Sequence, residues 1–191
     1  MSAVLAIALR RPAPAWWWGP ALVGVVALLA RPWFLPAGVA VEWRVGFFLA
    51  LGAAGVAWPW VRRSPAAGWG VSLVVLAVGT VAFAVGRAVV ELPVRSGPVA
   101  VAVALNALAA VAEEAFFRRY LYGLVDERWG STAAVVVTAG AFALVHGTVW
   151  GLWVLPRDLA AGLVLSWQRA ATGRWSVPAA THVAANSLAL L

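Results

Sequence analysis

Long apolar runs alternate with short polar breaks from one end of the chain to the other. A helix needs roughly 20 apolar residues to cross the hydrocarbon core of a bilayer. The runs at 16–30, 44–61, 68–90, 97–121, 131–150, 152–171 and 175–191 therefore predict about seven helical spans. The expected breaks are Arg31-Pro32, Arg62-Arg63-Ser64-Pro65, the stretch from Leu92-Pro93 to Ser96-Gly97-Pro98, Asp126-Glu127-Arg128 and Thr172-Gly173-Arg174. Links this short predict a single membrane domain over 1–191, without an internal repeat, a low-complexity tail or an appended soluble domain. The fold expected is all-α, a polytopic transmembrane helical bundle.

Composition strengthens that reading. The chain is 64% hydrophobic and 11% charged, where a soluble domain carries about 25% charged residues. Many of its 13 tryptophans lie near the ends of apolar runs, as an interfacial aromatic belt requires; Trp16, Trp17, Trp18, Trp33, Trp43, Trp129 and Trp175 are among them. The net charge of +7 comes from arginines set singly or in pairs between apolar runs. That arrangement is a topology signal rather than a nucleic-acid surface. Nine arginines fall on one side of the bundle and five (Arg31, Arg44, Arg87, Arg95, Arg157) on the other, which orients the N-terminus to the cytoplasm. The first helix is expected to be retained, and the absence of cysteine excludes thiol catalysis and disulfides. The expected location is integral and multi-pass, in a bacterial inner or plasma membrane.

The character of the chain changes near residue 96. Before it, apolar runs carry few polar atoms and read as scaffold helices, 1–95. After it, over 96–191, Asn106, Glu113, Glu114, Arg118, His146, His182 and Asn186 lie in or beside apolar helices. A charged residue at mid-bilayer costs roughly 2.5–3.5 kcal/mol on insertion scales, so two adjacent glutamates there need a use or a partner. Glu114 and Arg118 share a helical face and can pair; Glu113 points about 100° away. The same residues also suit a plain ion cluster at a helix end, with Arg118 and Arg119 reaching the headgroups. His182 and Asn186 share one face. Polar groups in lipid must face one another or water, so one internal cavity lined by Glu113, Glu114, His146, His182 and Asn186 is expected.

A buried carboxylate beside a neutral imidazole can hold and deprotonate a water. An imidazole N–H and an amide N–H one turn apart can donate to a developing oxyanion. Together these suit hydrolysis of an acyl group. A zinc reading uses the same atoms, with Glu113, His146 and His182 as ligands; the His-Glu-x-x-His signature is missing and the spacing decides neither way.

These residues resemble the CAAX-protease and bacteriocin-processing (Abi) group of intramembrane proteases. The motif Glu-Glu-x-x-x-Arg is matched by Glu113 to Arg118, Phe-x-x-x-His by Phe142 to His146, and His-x-x-x-Asn by His182 to Asn186. The resemblance covers roughly 96–191 and implies hydrolysis of a peptide bond at or within the membrane. It implies that Glu113 and His146 activate water, that His182 and Asn186 stabilise the oxyanion, and that Glu114 and Arg118 orient and balance charge. A metal-free reaction without cofactor is favoured, with zinc as the alternative. The implied partners are membrane lipid and a peptide or protein with a C-terminal anchor or lipidated tail, and no nucleic acid. Some relatives resemble non-catalytic scaffolds or bacteriocin-immunity proteins, which keeps that reading open; a proton or ion relay is a third.

Overall fold

The computed structural model describes residues 14–36, 38–57, 65–89 and 99–188, and the described residues form helices without strands. A short 3-10 turn, Ala15–Trp17, leads into α1, Trp18–Phe34. Then follow α2, Val41–Ala57; α3, Trp69–Val89; α4, Val99–Glu114; a π-helical segment, Ala115–Leu121; α5, Tyr122–Trp150; α6, Leu155–Thr172; and α7, Ser176–Leu188. The all-helical expectation holds. The arginine and proline breaks at 62–64 and 92–98, Trp58, Trp60 and the first 13 residues lie outside the described residues.

Two expected breaks fall elsewhere. Arg31-Pro32 does not end the first helix, which continues to Phe34 and closes with Leu35 N–H on the Arg31 carbonyl at 2.8 Å. Proline lacks the N–H that would bond four residues back. That loss is tolerable in the last turn of an otherwise apolar helix. Asp126-Glu127-Arg128 does not interrupt the chain either; the break comes at Gly130, whose φ of 84° and ψ of 169° lie outside helical space. Glycine adopts that conformation without a Cβ penalty.

The core of the bundle is the π segment. Its widened turn is enclosed on nearly every side: Ala115, Phe116, Phe117, Arg118, Tyr120 and Leu121 are buried, and Arg119 is partly so. The Tyr120 hydroxyl donates to the Trp17 carbonyl. Trp17 is thus a core residue and not part of an interfacial belt, whereas Trp16, Trp33, Trp43 and Trp129 are exposed. Phe117 stacks edge-on against Phe142 of α5 at 5.8 Å. The Arg119 guanidinium donates to the Gly55 carbonyl of α2. The Arg118 backbone carbonyl accepts from Arg169 Nε of α6 at 2.9 Å. Around this centre, α4 packs on α2 and α7, α5 on α6 and α1, and α3 on α6 and α7.

The surface is largely apolar, and the interior holds fully buried polar groups beside its apolar core. Leu73, Val74, Val78, Val81 and Val85 of α3 are exposed, while Glu114, Arg118, Thr138, Ser166, Gln168 and Thr181 are completely buried. The buried polar groups bond one another across helices. Thr138 and Ser166 hydroxyls join α5 to α6 at 2.9 Å. Gln168 Nε2 donates to the Val75 carbonyl and to Thr181 Oγ1, both at 2.9 Å, tying α6 to α3 and α7. Trp69–Ala88 and Ala100–Trp150 are long and apolar enough to cross a membrane, and only 17% of the most apolar window of the first is buried. A core helix of a soluble protein would be mostly covered.

Close helix approach depends on missing side chains at two sites. A Cβ on Gly162 would lie 2.9 Å from the Ala139 backbone, and one on Gly55 would lie 2.5 Å from the Ala115 carbonyl carbon. Backbone cannot swing aside as a side chain can. Gly46, on the same helix as Gly55, has open space at that position. Gly55→Ala should therefore destabilise the protein by about 1–3 kcal/mol, read as a lowered thermal midpoint in detergent. Gly46→Ala should be neutral or stabilising, by up to about 1 kcal/mol of helix propensity. Equal midpoints for the two variants would contradict the packing described.

Candidate active site

Helix α4 ends on Glu113 and Glu114, and the two carboxylates leave the helix in different directions. Glu114 turns inward and is completely buried. Its Oε1 accepts from Arg118 Nη1 at 2.9 Å and from His182 Nδ1 at 3.0 Å. Arg118 Nη2 also donates to the Gly162 carbonyl at 3.3 Å. The Arg118 guanidinium lies 4.6 Å from the centre of the Phe142 ring, a desolvated cation–π contact. The expected Glu114–Arg118 pair thus forms, and it reaches α5, α6 and α7 at once.

Glu113 is held from a different quarter. Its Oε1 accepts from Arg31 Nη1 of α1 at 3.0 Å, with side chains 5% and 13% exposed. Its Oε2 faces His146 Nε2 of α5 at 3.8 Å, beyond hydrogen-bond reach. The opposite ring nitrogen, His146 Nδ1, lies 2.9 Å from the Phe142 carbonyl. A carbonyl can only accept, so Nδ1 carries the proton. In the neutral ring Nε2 is then a lone-pair acceptor, aimed at a carboxylate that is also an acceptor.

His182 shows the mirror arrangement. With Nδ1 donating to Glu114, its Nε2 carries a proton only when the ring is an imidazolium. Asn186 Nδ2 donates to the Asn106 backbone carbonyl at 3.4 Å, joining α7 to α4. Asn186 is therefore fixed one helical turn from His182, with a second amide hydrogen left over.

Phe142 brings the two histidines to one place. Its ring centre lies 4.2 Å from that of His146 and 5.6 Å from that of His182. Glu113, Glu114, Arg118, His146 and His182 are thus linked by direct contact, and Asn186 adjoins them along α7. Among the described residues, no group of three or more His, Asp or Glu side chains is gathered so as to hold a metal ion.

Two contributors were invisible in the sequence. Arg31 reads as the end of the first apolar run, with its charge toward the outer side; the structure puts it inside α1 and against Glu113. The continuing apolar pattern through Trp33 and Phe34 is the one hint that the helix does not stop there. Gly162 enters as a backbone acceptor, which no side-chain pattern encodes.

Comparison with curated proteins gives no match, and comparison with solved structures gives none either. The family model described as Rce1-like, type II CAAX prenyl endopeptidase Rce1-like, matches residues 95–188. That stretch runs from just before α4 almost to the end of α7 and contains every residue of the cluster except Arg31. Over residues 95–188 the chain is thus similar to the Rce1-like family of type II CAAX prenyl endopeptidases, a membrane-embedded family.

Proposed function

We propose that the protein is a multi-pass intramembrane endopeptidase in which Glu113 and His146 together hold and deprotonate the attacking water. The single observation that carries this reading is the pair of acceptors facing each other at 3.8 Å, Glu113 Oε2 and His146 Nε2. Two acceptors cannot bond directly. One water, donating a hydrogen to each, satisfies both at that separation and has its oxygen lone pairs directed away from them. That is the geometry of a nucleophile with a base on either hand.

The reaction then needs only groups of this chain. The water oxygen attacks the peptide carbonyl carbon as Glu113 takes one of its protons. The carbonyl oxygen becomes negative. A His182 ring carrying both protons would donate from Nε2 to that oxygen while its Nδ1 stays on the Glu114 carboxylate. The second amide hydrogen of Asn186 is the other donor, as in oxyanion holes generally. Glu113 returns its proton to the departing nitrogen, and the C–N bond breaks. Glu114, compensated by Arg118, sets the His182 ring and keeps the site electrically balanced. The substrate we favour is a membrane-associated peptide or protein with a C-terminal anchor or lipidated tail, cut near the surface of a bacterial plasma membrane. Helices α1 and α2, of 17 residues each, are long enough to span when the bilayer thins locally, consistent with a multi-pass bundle.

Glu113→Gln keeps the size of the side chain and an acceptor for Arg31, so the protein should fold while cleavage falls by about 10²–10⁴-fold. Quantitative proteomics on membranes of wild-type and Glu113→Gln cells should reveal uncut precursors in the variant; identical profiles, with equal complementation of a deletion, would favour a scaffold or immunity protein instead. Asn186→Ala should lower kcat by about 10²–10³-fold, the usual loss for one oxyanion donor, as measured with an internally quenched peptide in detergent. Turnover should persist in chelator, and elemental analysis should find no stoichiometric zinc. Zinc at one per chain with chelator-sensitive turnover would replace the metal-free mechanism with a metal-assisted one.

A further inference from the structure

Arg31 lies in α1, outside the family match at 95–188, yet it makes a direct contact with the proposed base. The two residues are 82 positions apart, so nothing local forces them together. We infer that Arg31 is a positioning residue for Glu113: a cation brought in from the N-terminal half that fixes the rotation of the carboxylate and leaves one oxygen for water. The inference rests on the proposed role of Glu113 as base.

Four observations point the same way. First, the division of labour on Glu113 is complete, with Oε1 taken by Arg31 at 3.0 Å and Oε2 turned to His146. A carboxylate held at one oxygen cannot rotate freely, so the direction in which the other accepts a proton is set before substrate arrives. Second, the cation on the helix of Glu113 is already committed. Arg118 serves Glu114 and the Gly162 carbonyl, so a separate positive group must neutralise Glu113. Third, Arg31 is itself braced. Its guanidinium lies 5.8 Å from the centre of the Phe48 ring of α2, and it occupies the last turn of α1, where the helix dipole favours a cation. Fourth, α1 is seated by a tight contact. A Cβ on Gly24 would come 2.3 Å from the Phe116 ring of the π segment, so the helix that carries Arg31 packs its bare backbone directly against that ring. The N-terminal half thus contributes to the site rather than only surrounding it.

A positioning role and a structural one predict different kinetics. Loss of a group that aims the base should lower kcat, because an error of about 1 Å in a reacting group can cost about 10²-fold. Substrate affinity should not change, since Arg31 binds the enzyme's own carboxylate. The test compares wild type, Arg31→Ala, Arg31→Gln, Arg31→Lys and Glu113→Gln. The probe is an internally quenched peptide bearing a prenylated cysteine three residues before its free C-terminus, in detergent micelles, with thermal midpoints measured alongside. Expected is a fall in kcat of about 10²-fold for Arg31→Ala and Arg31→Gln, an unchanged KM, and partial recovery in Arg31→Lys, which restores charge without the planar fork. If Arg31→Ala does not fold, Arg31→Gln and Arg31→Lys carry the comparison, because both retain a donor. A KM rise with kcat preserved, or loss in Arg31→Lys equal to that in Arg31→Gln, would overturn the positioning role. Wild-type turnover that is abolished in Glu113→Gln but full in all three Arg31 variants would sink this inference and leave the proposed function standing. Equal turnover in wild type and Glu113→Gln would remove the base on which both depend.

Discussion

Two neighbouring carboxylates inside an apolar bundle have to be neutralised separately, and much of the architecture around them follows from that requirement. On one helix a single arginine four residues on can serve only one of them. Glu114 takes Arg118, and the completely buried pair is then completed by His182, the Gly162 carbonyl and the Phe142 ring. Glu113 takes Arg31 from a helix far away in sequence. Removing one member of a buried ion pair generally costs about 3–5 kcal/mol, because an uncompensated charge is left behind. The pairs therefore constrain where α1, α5, α6 and α7 can sit.

The π segment meets this requirement locally. A regular helix presents one buried stripe, but Ala115–Leu121 is covered on nearly every side, and its widened turn lets successive residues address different neighbours. Phe116 meets α1, Arg119 meets α2, Phe117 meets α5, and Arg118 meets α6. Such departures from α-geometry recur at functional sites. Here the segment begins at the residue after Glu114, so the irregular backbone and the paired carboxylates share one location.

The distribution of polarity fits a lipid surround. The valines and leucines of α3 face outward, and hydroxyls, amides and charges are spent on contacts between helices. In hydrocarbon an exposed polar group has no solvent to bond, whereas an exposed valine costs nothing. The result is an interior in which polar contacts between helices accompany a buried apolar cluster.

How much of this was legible in the sequence differs from residue to residue. Helical class, the apolar surface and the Glu114–Arg118 pair could be read directly, because length, hydropathy and a four-residue spacing are local properties. The motif positions Glu113, His146, His182 and Asn186 marked which side chains belong together, and the structure does bring them into one neighbourhood. What they bond there was not readable. His146 gives its Nδ1 to a backbone carbonyl, and Asn186 bonds the Asn106 carbonyl. The end of the first helix was misplaced because Arg-Pro is a breaking signal that the apolar residues on either side outweigh, and the break within α5 was misplaced because charges at 126–128 do not stop a helix while a positive φ at Gly130 does. The sequence by itself determined a helical, lipid-suited chain with an acid–histidine constellation in its C-terminal half. Only the tertiary structure decided that each glutamate has its own arginine and its own histidine, since a contact across 82 residues depends on how helices pack and not on any pattern within one of them.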